Sequence, residues 1–255
     1  MNARILALSV MALAPVVALC DEAPAPPPQD VWTGTGQAGL VASQGNTVAR
    51  TGNAALDLGL LDGPWAHSLH LEALYAQSNG ITSGERWGAL WQSNYDLTAA
   101  LFTFGALRYE HDLFSGFNYQ GSVAGGVGYK IYDTDGLKLS VQAGPGYRRE
   151  RPQTLTKDAA GEVIARMLGQ STGSGILSAG VDYSQVLTPT TTLSDKLLIE
   201  TGGGNTLLTN ALALSVKMST RLALSVGYNI QNNSSPPPGL KRLDSTETVN
   251  LVFSF

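Results

Sequence analysis

The sequence predicts an all-β fold, a transmembrane antiparallel up-and-down β-barrel of about twelve strands. Three observations predict it. Apolar and polar residues alternate along most of the chain, and no stretch beyond the first 20 residues is apolar enough for a membrane helix. Charge is sparse and glycine abundant, with 14% charged residues and 29 glycines, while mean hydropathy is near zero. The third is the final run, Ser245-Thr-Glu-Thr-Val-Asn-Leu-Val-Phe-Ser-Phe255. Val249, Leu251, Phe253 and Phe255 share one parity there, and Thr246, Thr248, Asn250 and Ser254 the other, with Val252 the exception. Such a strand has one apolar face. A soluble edge strand could alternate too but has no need to stop on Phe, whereas barrels of the outer-membrane kind commonly end on a terminal aromatic.

In chain order, Asn2, Ala3 and Arg4 make a short positive start and residues 5–19 an apolar run. That run fits the centre of an export signal and falls short of the roughly 20 residues a spanning helix needs. Ala18-Leu19-Cys20 offers a small-x-small cleavage site, so residues 1–20 read as a signal peptide. Cys20 also suggests a lipid anchor, against which the bulk of Leu19 directly before it counts. Cleavage after Cys20 leaves no cysteine, which removes disulfides, thiol catalysis and cysteine metal sites. Residues 21–31, with Ala23-Pro-Ala-Pro-Pro-Pro28, read as a stiff Pro-rich periplasmic leader. Residues 32–255 read as one barrel domain.

Twelve segments alternate at 32–43, 47–60, 65–77, 84–97, 100–111, 117–131, 137–149, 174–187, 190–201, 205–217, 221–231 and 245–255. Each is long enough to cross a bilayer when tilted. The sixth sets Phe117, Tyr119, Val123, Val127, Tyr129 and Ile131 against Asn118, Gln120, Ser122, Gly126 and Lys130. The fourth sets Trp87, Ala89, Trp91, Tyr95 and Leu97 against Arg86, Gln92, Asn94 and Asp96; the eleventh sets Leu222, Leu224, Val226, Tyr228 and Ile230 against Ser225, Asn229 and Gln231. Aromatics fall near strand ends, where interfacial girdles lie.

Two segments resist the scheme. In the fifth, Phe102, Phe104 and Ala106 share parity with Arg108 and Glu110. A charge at the lipid midplane costs about 2–4 kcal/mol, so the charges belong inside, with the two rings against the small Ser122, Ala124, Gly126 and Gly128 of the sixth. The ninth is ambiguous between Asp195 and Lys196 facing inward. Alternate links are tight and rich in turn residues, such as Leu61-Asp-Gly-Pro64 and Asp133-Thr-Asp-Gly136, whereas 150–173 and 232–244 read as long loops. Short turns in the periplasm and long loops outside is the porin-type asymmetry, with both ends of the domain in the periplasm.

The inward charges carry the functional signal. Glu72, Arg86, Arg108, Glu110, Lys130, Lys138, Arg148, Lys196, Lys217 and Arg221 fall on the lumen side, and Gln92, Gln120 and Gln142 join them as lumen-lining residues. They read either as the wall of a narrow path for small polar solutes or ions, or as a ladder of salt bridges that rigidifies a closed barrel. Phe102 and Phe104 would be the plug of the closed version. Val249, Leu251, Phe253 and Phe255 read as a sorting signal for the outer-membrane insertion machinery, and outer-membrane lipids are the expected surroundings.

Enzyme chemistry finds little support. His67 and His70 are three apart on a strand, so they point to opposite faces and cannot share a metal. His111 lies in a polar turn, Glu110-His-Asp112. A lipase at the barrel surface, the remote alternative, needs Ser, His and an orienting group together, and His67 and Ser68 point opposite ways. Gly202-Gly-Gly204 reads as a hairpin turn, since no helix follows it to make a phosphate loop. No cofactor or metal is expected, and a net charge of −4 without a basic cluster argues against nucleic acid.

The run Arg108-Tyr-Glu-His-Asp-Leu-Phe-Ser-Gly-Phe-Asn-Tyr119 resembles the R-Y-E-x-D-x-F-S-G-F-x-Y stretch of a bacterial family of salt-induced outer-membrane proteins, a barrel domain of unknown function. Ser43-Gln-Gly-Asn-Thr47, Gly144-Pro-Gly-Tyr-Arg148, Leu187-Thr-Pro-Thr-Thr191 and Pro237-Pro-Gly239 are similar to that family's other motifs, in the same order. The resemblance covers most of the chain from Trp32 to Phe255 and weakens over residues 153–173. It implies a barrel in the Gram-negative outer membrane associated with osmotic stress, and it supplies no catalytic residues.

Overall fold

The computed structural model describes residues 31–43, 48–113, 115–159, 161–237 and 240–255. The expected signal peptide, the leader up to residue 30, and motif residues 44–47, Phe114, Pro238 and Gly239 lie outside the described residues. Thirteen strands are present: β1 (Val31–Ser43), β2 (Ala49–Asp62), β3 (Trp65–Ser78), β4 (Ile81–Asp96), β5 (Leu101–Asp112), β6 (Phe117–Asp133), β7 (Leu137–Lys157), β8 (Val163–Leu168), β9 (Thr172–Thr188), β10 (Thr191–Gly202), β11 (Asn205–Lys217), β12 (Leu222–Asn233) and β13 (Leu243–Ser254).

Every pairing is antiparallel. Strands β1 to β7 follow one another around the sheet, β7 pairs next with β9, β9 to β13 continue in order, and β13 returns to β1. Twelve strands therefore close on themselves and leave no sheet edge, which is the condition for spanning lipid. The thirteenth, β8, pairs only with the outer part of β7. Residues 150–173, expected as a loop, are thus largely a hairpin. Thr154, Thr156, Val163 and Ile164 are β-branched, and the Asp158–Glu162 turn is held by Asp158 N to Glu162 O at 3.0 Å and Glu162 N to Asp158 Oδ1 at 2.9 Å. Strand β7 rises beyond the barrel and finds its partner there.

The seam is short. Strands β1 and β13 run in register from Thr35–Ser254 to Ala38–Leu251, and Gly34 and Phe255 exchange both backbone hydrogen bonds, at 3.0 and 2.9 Å. A Cβ on Gly34 would lie 2.3 Å from the Phe255 ring, so glycine is what lets the terminal aromatic lie across the first strand. On the inner face Asn53 Nδ2 donates to Asn250 Oδ1 (2.8 Å) and Asn250 Nδ2 to Gln37 Oε1 (3.4 Å).

The polarity is inverted relative to a soluble domain. Leu107, Val123, Val127, Leu214, Leu224, Val226, Val249 and Leu251 are all exposed on the outer wall. An apolar belt of that extent is far beyond what a soluble monomer carries. The buried apolar cluster is small: Phe102, Phe104 and Ala124, with Ala106 packed against them. Phe102 lies inside, where a Cβ on Gly128 would come within 2.1 Å of its ring. The parity conflict of the fifth segment is therefore resolved with rings and charges both inward. The ninth segment, now β10, turns Lys196 inward with Glu200; Asp195 points outward and accepts from Asn210 Nδ2 at 2.6 Å. Asp133-Thr-Asp-Gly136 is a hairpin turn, with Thr134 N bonded to Leu137 O.

Candidate functional site: the lumen and its crossing

One end of the barrel carries both ends of the described chain and short turns throughout; the other carries the longer connections together with two-residue turns at Asn79–Gly80 and Gly203–Gly204. Between them the inner wall is polar, and side chains reach across it. Arg108 (β5) bonds Glu110 through Nη1 at 3.0 Å and Glu200 (β10) through Nη2 at 2.9 Å. Glu200 takes a second bond from Ser122 Oγ at 2.6 Å. Glu110 Oε1 accepts from Gln231 Nε2 (3.1 Å), and Gln231 sits on β12, the strand diametrically opposite β5. The crossing thus spans the full bore.

Arg148 (β7) braces it. Its guanidinium donates to the backbone carbonyls of Glu200 (3.4 Å), Gly202 (3.2 Å) and Asn205 (3.3 Å), and its Nε lies 3.5 Å from Glu150 Oε2. Those carbonyls converge because Gly203 and Gly204, at φ of 62° and 78°, turn the β10–β11 hairpin. Arg148 and Glu200 are each only 2% exposed. Charges this dry are retained only where hydrogen bonds offset their desolvation. Glu200 accepts from Arg108 and Ser122, and Arg148 donates through its terminal nitrogens, while its buried Nε has no hydrogen bond and only the Glu150 carboxylate nearby.

The other expected lumen residues fall around this crossing. Glu72 stands 3.8 Å from Arg86 and 3.9 Å from His70. His70 Nδ1 is 2.7 Å from Asp57 Oδ1, so a ladder of polar side chains, Asp57–His70–Glu72–Arg86, climbs β2 to β4. Gln92 and Gln142 hydrogen-bond each other reciprocally at 3.0 and 3.2 Å between β4 and β7. Gln120 is buried beside Glu150 (3.4 Å). Lys130 is clamped by Asp96 at 2.7 Å and lies, with Lys138, Asp182 and Lys196, around a cavity of about 600 Å³ at the turn end. Lys217 is exposed at the rim, and Arg221 lies in the turn before β12 and not on the lumen wall. Hairpin residues outside the membrane span do not follow the strand's parity, which is why the period-two count misplaced Arg221.

Glu200, Asp57 and Gln231 went unread as site residues. Glu200 shares parity with Lys196, between Ile199 and Thr201, so settling the phase of that segment would have found it. The long-range pairing itself has no local signal.

The loop end is roofed. Gln153 Nε2 donates to the carbonyls of Leu113 (3.1 Å) and Phe117 (3.2 Å), and both of those residues are buried. Asn205 Oδ1 accepts from Ser234 Oγ and Ser235 N, each at 3.1 Å. Gly116 lies under Leu240 and Pro237, where a Cβ would meet Leu240 Cδ1 at 2.3 Å. Among the described residues no cluster of three or more His, Cys, Asp and Glu could hold a metal. His67 stacks between Trp65 and Trp91 on the outer wall, and His111 stacks on Trp87 there, so the three histidines do not meet.

Closure, inverted polarity and a bridged lumen define a twelve-stranded barrel of the outer-membrane type. The chain belongs to the family described as "Protein of unknown function, DUF481", whose model matches residues 36–255. That description carries no activity and no salt response. A relative in Escherichia coli (strain K12), "Uncharacterized protein YdiY", is 26% identical over 224 residues, 88% of this chain and 83% of that protein. Among solved structures, the NanC porin is 12% identical over 88% of this chain and 98% of its own (TM-score 0.47). The translocator domain of autotransporter NalP from Neisseria meningitidis is 13% identical over 89% and 87% (TM-score 0.45). The KdgM porin is 14% identical over 88% and 99% (TM-score 0.42).

Proposed function

We propose that this chain is a non-enzymatic barrel of the Gram-negative outer membrane whose lumen is shut at rest by the Arg108–Glu200–Arg148 crossing. The observation that carries this is the burial of Arg148 and Glu200, each 2% exposed toward the loop end of the bore, beside the β10–β11 hairpin. With Arg108 joined to Glu200 on one side and Glu110 joined to Gln231 on the opposite strand, side chains extend across the bore at that level and narrow it. The protein then serves the envelope as a closed barrel and not as an open passive pore. Its turn end faces the periplasm, the sequence-predicted signal of residues 1–20 exports it, and Val249, Leu251, Phe253 and Phe255 present it to the insertion machinery. The outward exposure of those four side chains supports that last reading.

The test has two parts. Fractionation places the protein in the outer membrane, with a band that shifts on heating. Vesicles carrying the wild type then resist swelling in small sugars. Swelling at a rate typical of general porins would overturn the closed reading.

A second reading has one observation in its favour. The cavity at the turn end, with Asp96, Lys130, Asp182 and Lys196 around it, is a mixed-charge vestibule of about 600 Å³. A narrow path for small ions begins there if the crossing parts. The osmotic-stress association rests on the family resemblance, and transcript levels after a salt upshift test it.

A further inference from the structure

The outer wall at the loop end carries a feature that lumen closure does not use. On β7, Arg149 and Arg151 share the parity of Tyr147, so they point outward while Arg148 and Glu150 point in. Both are fixed by one short connection between β8 and β9: Arg149 Nε donates to Ser171 Oγ at 2.9 Å, and Arg151 Nε to Gly169 O at 3.1 Å. Ser171 Oγ is also 2.8 Å from Tyr119 Oη. Each side chain is held through Nε, and among the described residues the terminal nitrogens of the two guanidiniums have no hydrogen-bond partner. Among the described residues, neither group meets a carboxylate at ion-pair distance.

Their height matters as much as their direction. Below and beside them stand Tyr147 and the stacked series Trp87–Tyr109–Tyr119, with ring centroids 5.1 and 6.1 Å apart. Aromatic girdles sit at the level of lipid headgroups, so cations one step further toward the loops stand among headgroup phosphates. Residues two apart on a strand are about 7 Å apart, a spacing that lets two guanidinium forks engage one phosphorylated headgroup. Arginine is the side chain suited to that bidentate contact.

We propose that Arg149 and Arg151, oriented by residues 169–171, bind the phosphates of an outer-leaflet glycolipid. The site rests on the outer-membrane reading above. It is a docking point for lipid on the wall and requires no passage through the lumen.

The experiment measures binding of fluorescent diphosphorylated lipid A to the purified chain in detergent. A surface arginine contributes about 1 kcal/mol of attraction to an anionic membrane. The double variant Arg149→Gln, Arg151→Gln is therefore expected to bind roughly thirtyfold more weakly. Ser171→Ala, which keeps both charges and loosens their aim, is expected to fall between. Dephosphorylated lipid A should bind the wild type as weakly as it binds the double variant. Equal affinity of wild type and double variant would overturn the site. So would undiminished binding of the dephosphorylated lipid, or full competition by millimolar inorganic phosphate, which would make this a free-anion site. A heat-modifiable barrel that shows any of those results loses the lipid site alone. A chain that is soluble without detergent loses the outer-membrane reading with it.

Discussion

Glu200→Ala is the perturbation that strikes the crossing most directly. The wild-type carboxylate accepts from Arg108 Nη2 at 2.9 Å and from Ser122 Oγ at 2.6 Å, and it is almost wholly buried. Removing one member of a buried ion pair typically costs about 3–5 kcal/mol, because the survivor keeps its desolvation cost without its partner. Arg108 retains Glu110 at 3.0 Å, so the lower end applies, about 3 kcal/mol. For a chain of this size that corresponds to a fall of roughly 6–12 °C in midpoint temperature. Heat-modifiability on gels, run as a temperature series in one detergent, reads it out. The double variant Arg108→Met, Glu200→Leu removes both charges and refills the space, and it should return to within about 1–2 kcal/mol of the wild type. A drop of less than about 0.5 kcal/mol for Glu200→Ala, or simple addition of the Arg108→Met and Glu200→Leu effects, would refute the reasoning.

Three further outcomes follow from the same geometry. Arg148→Met should destabilise the barrel by about 3 kcal/mol, since three inward carbonyls lose their donor, and urea unfolding followed by tryptophan fluorescence would show it. Gly128→Val forces a side chain into the Phe102 ring and should cost about 1–3 kcal/mol, with Phe102→Ala in the same chain recovering part of the loss in the same assay. Deleting Phe255 should lower the amount of protein recovered in the outer membrane and raise its degradation in the periplasm; normal delivery with a lower melting temperature would assign Phe255 to seam packing on Gly34 alone.

Much of the barrel was legible because a strand in lipid has to show its period at every step. The twelve alternating segments correspond to the twelve strands that close, and the energetic comparison of a buried ring with a lipid-facing charge set the phase of β5 correctly. Phase stayed ambiguous where polar residues of both parities sit together, as at Asp195 and Lys196, and Glu200 was not picked out because of it. Beyond the bilayer the constraint lapses, so the β7–β8 hairpin looked like a loop and Arg221 like a lumen residue. The inward residues themselves were readable one strand at a time. Which of them meet was not, because Arg108 and Glu200 are 92 positions apart and Glu110 and Gln231 are 121 apart. Closure is a property of those pairs, and no local pattern encodes it.

Single-channel recording in planar bilayers tests the closed lumen most directly. The wild type, inserted and heat-modifiable, should give no discrete conductance, while a variant with Arg108 and Glu200 both shortened to alanine should leak or open. A wild type that opens steadily, in discrete steps, without any disturbance of Arg108, Arg148 or Glu200 would contradict the account.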